Sequence, residues 1–266
     1  DTPEWRNYDS GGKDTTRCGM PGNSLLPKSS LGTSVSTQKR DMTTNKIGMY
    51  QQWNSMPYKE RSLYKVYNEI ETKCLANGLP RIIAITAKSL YRIVAETKIS
   101  RGANRVGIIA ACVYHACKEC GVPRTVHELS RVFRIDTKVM TKGCKQYVEI
   151  MRMSKTDMSR ITEVKSIDLH DFIRRFSHNL DLGDTDIDAI HAIASLSDDL
   201  GLLNDNTPPS MSAGCIFLYA KARGKDLTKK QISVVCNISE VTVNKCYKKL
   251  EANEIITDLV AQMGPT

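Results

Sequence analysis

The chain has 266 residues, 41% of them apolar, and a net charge of +9 from 38 Lys and Arg against 29 Asp and Glu. That length can bury one large or two medium cores, and no apolar run is long enough for a membrane-spanning helix. No secretory leader follows Asp1, and an odd count of nine cysteines does not suit a disulfide framework, so reduced thiols in an intracellular setting are expected.

Residues 1–57 are rich in Gly, Ser, Thr, Asn and Pro and read as an extended arm. Towards its end the pattern turns amphipathic: Met56, Leu63, Tyr67 and Ile70 can share one helical face, with Pro57 at a helix start. Beyond that point helical patterning dominates and strand alternation is scarce, so the fold class is all-α. Helices are expected over 80–98, 107–119, 126–133 and 137–151. Gly121 stops the second of these. Thr125, with Glu128 three residues on, forms a capping box ahead of the third. The same box returns as Thr228 and Gln231, before a helix ending at Cys236, a turn at 237–239 and a helix over 240–251.

Sliding the sequence by 103 residues without gaps superposes Cys112 on Cys215, Gly121 on Gly224 and Thr125 on Thr228. The same shift superposes Ile135 on Ile238, Lys142 on Lys245 and Lys145 on Lys248. A period this long exceeds that of solenoid units and fits a duplicated bundle of about five helices. The expected organisation is an arm over 1–57 and repeats over 58–160 and 161–266.

Charge is segregated along the chain. Residues 101–165 hold 13 basic and 6 acidic side chains, and residues 221–249 hold 8 and 2; between them, residues 166–206 hold 2 and 9. Such fields suit a polyanion on one face and a basic partner on another. Each repeat writes helix, short turn, basic helix, the grammar of a helix-turn-helix. Lys138, Lys142 and Lys145 share one face of their helix, and Lys245, Lys248 and Lys249 share another. Such faces neutralise phosphates, although a merely solvated basic face has the same pattern. Val241, Thr242 and Asn244 occupy the first turns of the last basic helix, where base edges are read. Asn can pair with adenine bidentately, and Val or Thr methyls can touch thymine. The competing reading buries Val243, and less readily Val241, in a core.

Enzymatic readings are weaker. His115 between Cys112 and Cys117 falls on an interior stripe with no partner implied for thiol catalysis. Cys117 and Cys120 have zinc-ligand spacing but no second pair follows, and "RGANR" at 101–105 is a basic turn rather than a phosphate loop. No catalytic residue, metal or cofactor is expected within this segment.

The stretch "RGANRVGIIAACVYHACKECGVPRTVHELSRVFRIDTKVMTKGCKQY" resembles the first cyclin-fold repeat of the transcription factor IIB family, and "MSAGCIFLYAKARGKDLTKKQISVVCNISEVTVNKCYKKL" resembles the second. "EWRNYDSGGKDTTRCGMPGNSLL" is similar to the segment after that family's zinc ribbon, and "MYQQWNSMPYKERSLYKVYNEIE" to its linker and first helix. The resemblance implies two tandem five-helix cyclin-like repeats behind an extended reader and linker arm. The implied function is general transcription initiation: promoter DNA is bound with TATA-binding protein, RNA polymerase is positioned, and a single copy of the chain acts. It puts Lys13, Asp14 and Arg17 in the reader near the polymerase active centre, and Gln52 and Trp53 in the linker that helps open DNA. Arg101, Gly102, Lys138 and Lys142 fall on the first repeat's DNA-facing surface, and Val241, Thr242 and Asn244 where the element upstream of TATA is read. The family often carries arginine at the position of Asn244, so an A/T preference is expected instead of a G-rich one. Zinc is expected only in a ribbon preceding Asp1. The divergence and cysteine content resemble the version carried by large cytoplasmic DNA viruses of the African swine fever type, which implies viral factories in the host cytoplasm and virions; for a cellular member of the family the implied setting is the nucleus. A cyclin-type kinase regulatory subunit is the alternative that shares the fold.

Overall fold

The computed structural model describes residues 24–29, 41–154 and 167–262, and every regular element among them is an α-helix. In chain order these are α1 (Met42–Ser55), α2 (Tyr58–Ala76), α3 (Arg81–Thr97), α4 (Gly102–Glu119), α5 (Val126–Phe133) and α6 (Thr137–Met153). They continue as α7 (His170–His178), α8 (Asp184–Asp199), α9 (Pro208–Ala222), α10 (Lys229–Cys236), α11 (Glu240–Glu251) and α12 (Glu254–Gln262).

The 103-residue shift recurs in the backbone. α5 ends on Arg134 in the left-handed region at φ 54°, ψ 47°, and α10 ends on Asn237 at φ 54°, ψ 48°. Bonds that close helix ends return at the same offset. Val122 N donates to Cys117 O (2.9 Å) as Lys225 N does to Ala220 O (2.9 Å), and Ile135 N donates to Ser130 O (3.0 Å) as Ile238 N does to Ser233 O (3.1 Å). Both capping boxes form: Thr125 N donates to Glu128 Oε2 at 2.7 Å, and Thr228 N to Gln231 Oε1 at 2.7 Å. Gly121 and Gly224 carry φ of 70° and 62°, which a side chain would resist.

Two sequence expectations shift. Met42–Ser55 lies within the stretch read as an extended arm, yet it is helical, started by Asp41 and Thr44, whose hydroxyl accepts from Asp41 N at 3.1 Å. Its large apolar side chains Met42, Ile47, Met49, Tyr50 and Trp53 are all exposed, so it carries no buried stripe to signal a helix. α4 begins at Gly102 rather than 107, so "RGANR" opens a helix and is not a free turn.

The chain forms two compact units. The first comprises residues 1–116 and 138–156; the second comprises 117–137 and 157–266. These bounds differ from the repeat period, because the segment carrying α5 belongs to the second unit. In the first unit α2 packs on α3 through Val66, Tyr67, Ile70, Ile83, Ala87 and Leu90. There α4 and α6 meet glycine on glycine: a Cβ on Gly143 would sit 2.2 Å from Gly107 O. Residues 24–29 also dock in this unit. Leu26 is buried, Lys28 N donates to Glu60 Oε1 at 2.7 Å, and the Ser29 hydroxyl bonds the other carboxylate oxygen of that buried acid.

In the second unit α9 is the central helix, buried from Ser210 to Ala220 and packed on α7, α8, α10, α11 and α12. Phe172, Ile173, Phe176, Ile190, Ile193, Ile216, Ile232, Val243 and Leu250 fill the core around it, each contributing roughly 1.5–3 kcal/mol by leaving water. The α5 segment is tied to α7 by Arg175, which donates to Glu128 Oε1 (Nε, 3.2 Å), Glu128 Oε2 (Nη2, 3.1 Å) and Pro123 O (Nη1, 3.0 Å), with Phe172 and Phe176 beneath its guanidinium. Arg131 Nη2 adds a 2.8 Å bond to Asn237 Oδ1 in the turn between α10 and α11.

Candidate nucleic-acid interface

In the first unit the crossing at Gly107 and Gly143 sets the opening turn of α4 beside the α6 segment that carries the lysines. Arg101, Gly102, Lys138, Lys142 and Lys145 are all exposed. Gly102 sits at φ 58°, a left-handed conformation that frees the helix entry of any side chain. Gly107 and Gly143 make this close approach possible, since any Cβ there would strike backbone rather than a flexible side chain.

In the second unit α11 starts on Ser239, whose hydroxyl accepts from Thr242 N at 3.2 Å. The helix then divides its residues cleanly. Val243, Cys246, Tyr247 and Leu250 are buried, whereas Val241 is 80% exposed and Lys245 and Lys248 point to water. Of the two valines weighed as core, Val243 is core and Val241 is not. Thr242 is half-buried and shares a 2.8 Å hydroxyl contact with Ser239. Asn244 is half-buried, and its Oδ1 accepts from Lys229 Nζ of α10 at 2.7 Å. Lys249, on the same face, reaches Asp205 at 3.3 Å.

Sequence reasoning passed over Lys229, Arg131 and Arg134. In the sequence Lys229 is one charge among several, although its distance of one helix and one turn from Asn244 is the signal that places the two on facing helices. Arg134 is exposed at the left-handed end of α5. Lys13, Asp14 and Arg17 lie outside the described residues, as does the side chain of Gln52. Trp53 is half-exposed. The Arg61 guanidinium lies 5.5 Å from its ring centroid and 5.6 Å from that of Tyr58, which pins α1 to α2 across Pro57.

The thiols read as interior are interior. Cys112 and Cys215 are fully buried, and burial pushes the Cys215 thiol up to about 12 and Cys112 higher still. His115 stacks on Tyr147 with ring centroids 4.1 Å apart. A thiol kept protonated and walled off from solvent is a poor nucleophile. Among the described residues no group of three or more His, Cys, Asp or Glu is placed to hold a metal ion, and no helix is long and apolar enough to cross a membrane.

The family model described as the transcription factor TFIIB repeat matches this chain twice, over residues 59–150 and 162–253. A transcription initiation factor IIB-like protein of Acanthamoeba polyphaga mimivirus is 38% identical over 262 residues; the match takes in 93% of this chain but 56% of that protein. Transcription initiation factor IIB-2 of Arabidopsis thaliana is 30% identical over 255 residues, with 94% of this chain and 80% of the relative aligned. Transcription initiation factor IIB of Mus musculus is 29% identical over 249 residues, with 92% and 76% aligned. With two matched repeats, the recurring backbone signature and relatives aligned along nearly its whole length, the chain belongs to the transcription factor IIB family.

Proposed function

We propose that the chain is a general transcription initiation factor without catalytic chemistry of its own. It binds promoter DNA together with a TATA-binding protein, positions RNA polymerase, and assists DNA opening and start-site selection. The observation that carries this reading is the recurrence, at one register, of exposed lysines on the second helix of each helix-turn-helix: Lys142 and Lys145 on α6, Lys245 and Lys248 on α11. A kinase-binding cyclin subunit has no use for either set. On this reading Arg101, Gly102 and Lys138 join the phosphate-contacting surface of the first repeat, and Val241, Thr242 and Asn244 face the bases. Lys13, Asp14, Arg17, Gln52 and Trp53 serve the polymerase side, testable by residue-mapped crosslinking. The mimivirus relative supports a viral setting, with action in cytoplasmic factories and packaging in virions; the African swine fever type remains the specific proposal within it.

The test is binding to a promoter duplex over a salt series. Affinity falls steeply with salt, and Lys142→Glu weakens binding on every sequence while lowering the salt slope by about 1 or more. A slope near zero for the unaltered protein overturns the reading.

A further inference from the structure

Resting on the reading that α11 faces DNA, we infer that Arg131, carried by α5 of the first repeat, is a phosphate contact of the second repeat's helix-turn-helix, held in its pose by Asn237. The two residues lie 106 positions apart in the chain, and Arg131 Nη2 donates to Asn237 Oδ1 at 2.8 Å. Asn237 is the left-handed residue that closes α10, two residues ahead of Ser239, which caps α11. The arginine therefore stands at the turn of the second helix-turn-helix, although it belongs by sequence to the first. In that motif the first helix crosses the DNA backbone while the second enters the groove, so a cation at the turn joining them meets phosphate.

Arg131 is exposed, and Asn237 offers it a neutral acceptor. Glu128, one turn back on α5, is taken by Arg175 and by Thr125 N. In the same unit Lys225 pairs with Asp186 and Lys249 with Asp205, whereas among the described residues Arg131 forms no ion pair. Asn237 uses one of the five guanidinium N–H groups. Those that remain include a parallel pair of the kind that grips a phosphate with two bonds. The amide thus fixes direction without cancelling charge, which lowers the ordering cost of binding. Arg134, three residues on, is exposed as well, and exposed acids at Asp136 and Glu240 border the turn. Those two carboxylates confine the attraction to a single phosphate rather than a broad strip.

The experiment is binding of the full chain to a promoter duplex over a salt series, with a TATA-binding protein present, paired with ethylation interference to locate the contacted phosphates. Losing one phosphate contact removes about 0.9 from the salt slope. Arg131→Ala therefore weakens binding about eightfold at 0.1 M salt and hardly at all near 1 M, to the same degree on every sequence. Arg131→Lys keeps the slope. Asn237→Gly suits the left-handed backbone and keeps every charge. Its slope holds while affinity drops about twofold, because the guanidinium must now be ordered on binding. In the interference pattern, the phosphate that Arg131→Ala removes lies within about one helical turn of a phosphate removed by Lys245→Ala. The bond is exposed to solvent, so the melting temperatures of these variants stay level and a folding defect is not the source.

If Arg131→Ala leaves slope and interference pattern unchanged while Lys245→Ala alters both, the role given to Arg131 is overturned although α11 still faces DNA. The same holds if the phosphate it removes sits with those of Lys142→Ala and away from those of Lys245→Ala. A loss of affinity with every phosphate contact retained assigns the arginine to a carboxylate on the protein partner, and likewise overturns the inference. If Lys245→Ala removes no phosphate, the DNA reading of α11 falls, and the inference with it.

Discussion

Replacing Gly143 by alanine tests the packing that positions the first-repeat lysines. The added methyl would sit 2.2 Å from Gly107 O, 2.4 Å from its carbonyl carbon and 3.0 Å from its Cα. All three are backbone atoms of α4, so no rotamer change relieves the clash, and α6 must retreat by about 1 Å to restore ordinary contact. Overpacking of this kind costs about 1–3 kcal/mol, and a rigid backbone target belongs at the upper end. Alanine's better helix propensity returns about 1 kcal/mol, for a net loss near 2 kcal/mol. In a protein of this size that lowers Tm by roughly 4–8 °C, read by calorimetry or by urea unfolding followed at 222 nm. Gly48→Ala is the matched control: nothing lies within 4 Å of its new methyl, in the middle of α1, so Tm stays level or rises. A Gly143→Ala protein melting at or above the unaltered chain would refute the glycine-on-glycine crossing.

Arg175→Met takes the donor from Pro123 O and leaves Glu128 with only its capping-box bond from Thr125 N, and is expected to destabilise the second unit by about 1–3 kcal/mol in urea titrations. Lys73→Met, which breaks a surface pair with Glu69 one turn away, should cost about 0.3–0.5 kcal/mol; equal losses would contradict the difference in setting. The His170 and His191 rings stack between α7 and α8 with their Nδ1 atoms 2.9 Å apart, so only one of those nitrogens can carry a proton in that contact. Burial first, then His170, holds His191 below its ordinary 6.5, with Arg174 acting the same way and Asp188 opposing them. The unfolded chain therefore takes up a proton before the folded one does, and stability present above pH 6.5 declines as pH falls beneath it. His191→Gln should flatten that decline in melting curves taken between pH 7.5 and 5; an unchanged pH dependence would remove the histidine pair as its source.

The sequence made the helix-turn-helix ends legible because caps and stops are local chemistry. Thr125 with Glu128, Thr228 with Gln231, and the glycines at 121 and 224 fix α5, α10 and the turns before them without help from tertiary contacts. The exposed lysines followed from 3.6-residue spacing. α1 was not legible, since its apolar residues serve no core within the described chain and so leave no stripe. The tie between Asn244 and Lys229 was hidden for another reason: it joins two separate helices, α10 and α11, and no local pattern announces it. The assignment of α5 to the second unit was likewise beyond reach, because Glu128 completes its own capping box through Oε2 and gives no hint that Arg175 bonds both that oxygen and Oε1.

The way the chain weaves between its two compact units has a mechanical result. It passes from one to the other three times, after residues 116, 137 and 156, and the first passage runs through the interior of the continuous helix α4. A single protease cut near residue 156 divides the polypeptide into 1–156 and 157–266, and the second fragment is then held only through the packing of residues 117–137 within the second unit, so denaturant and not the cut alone releases it.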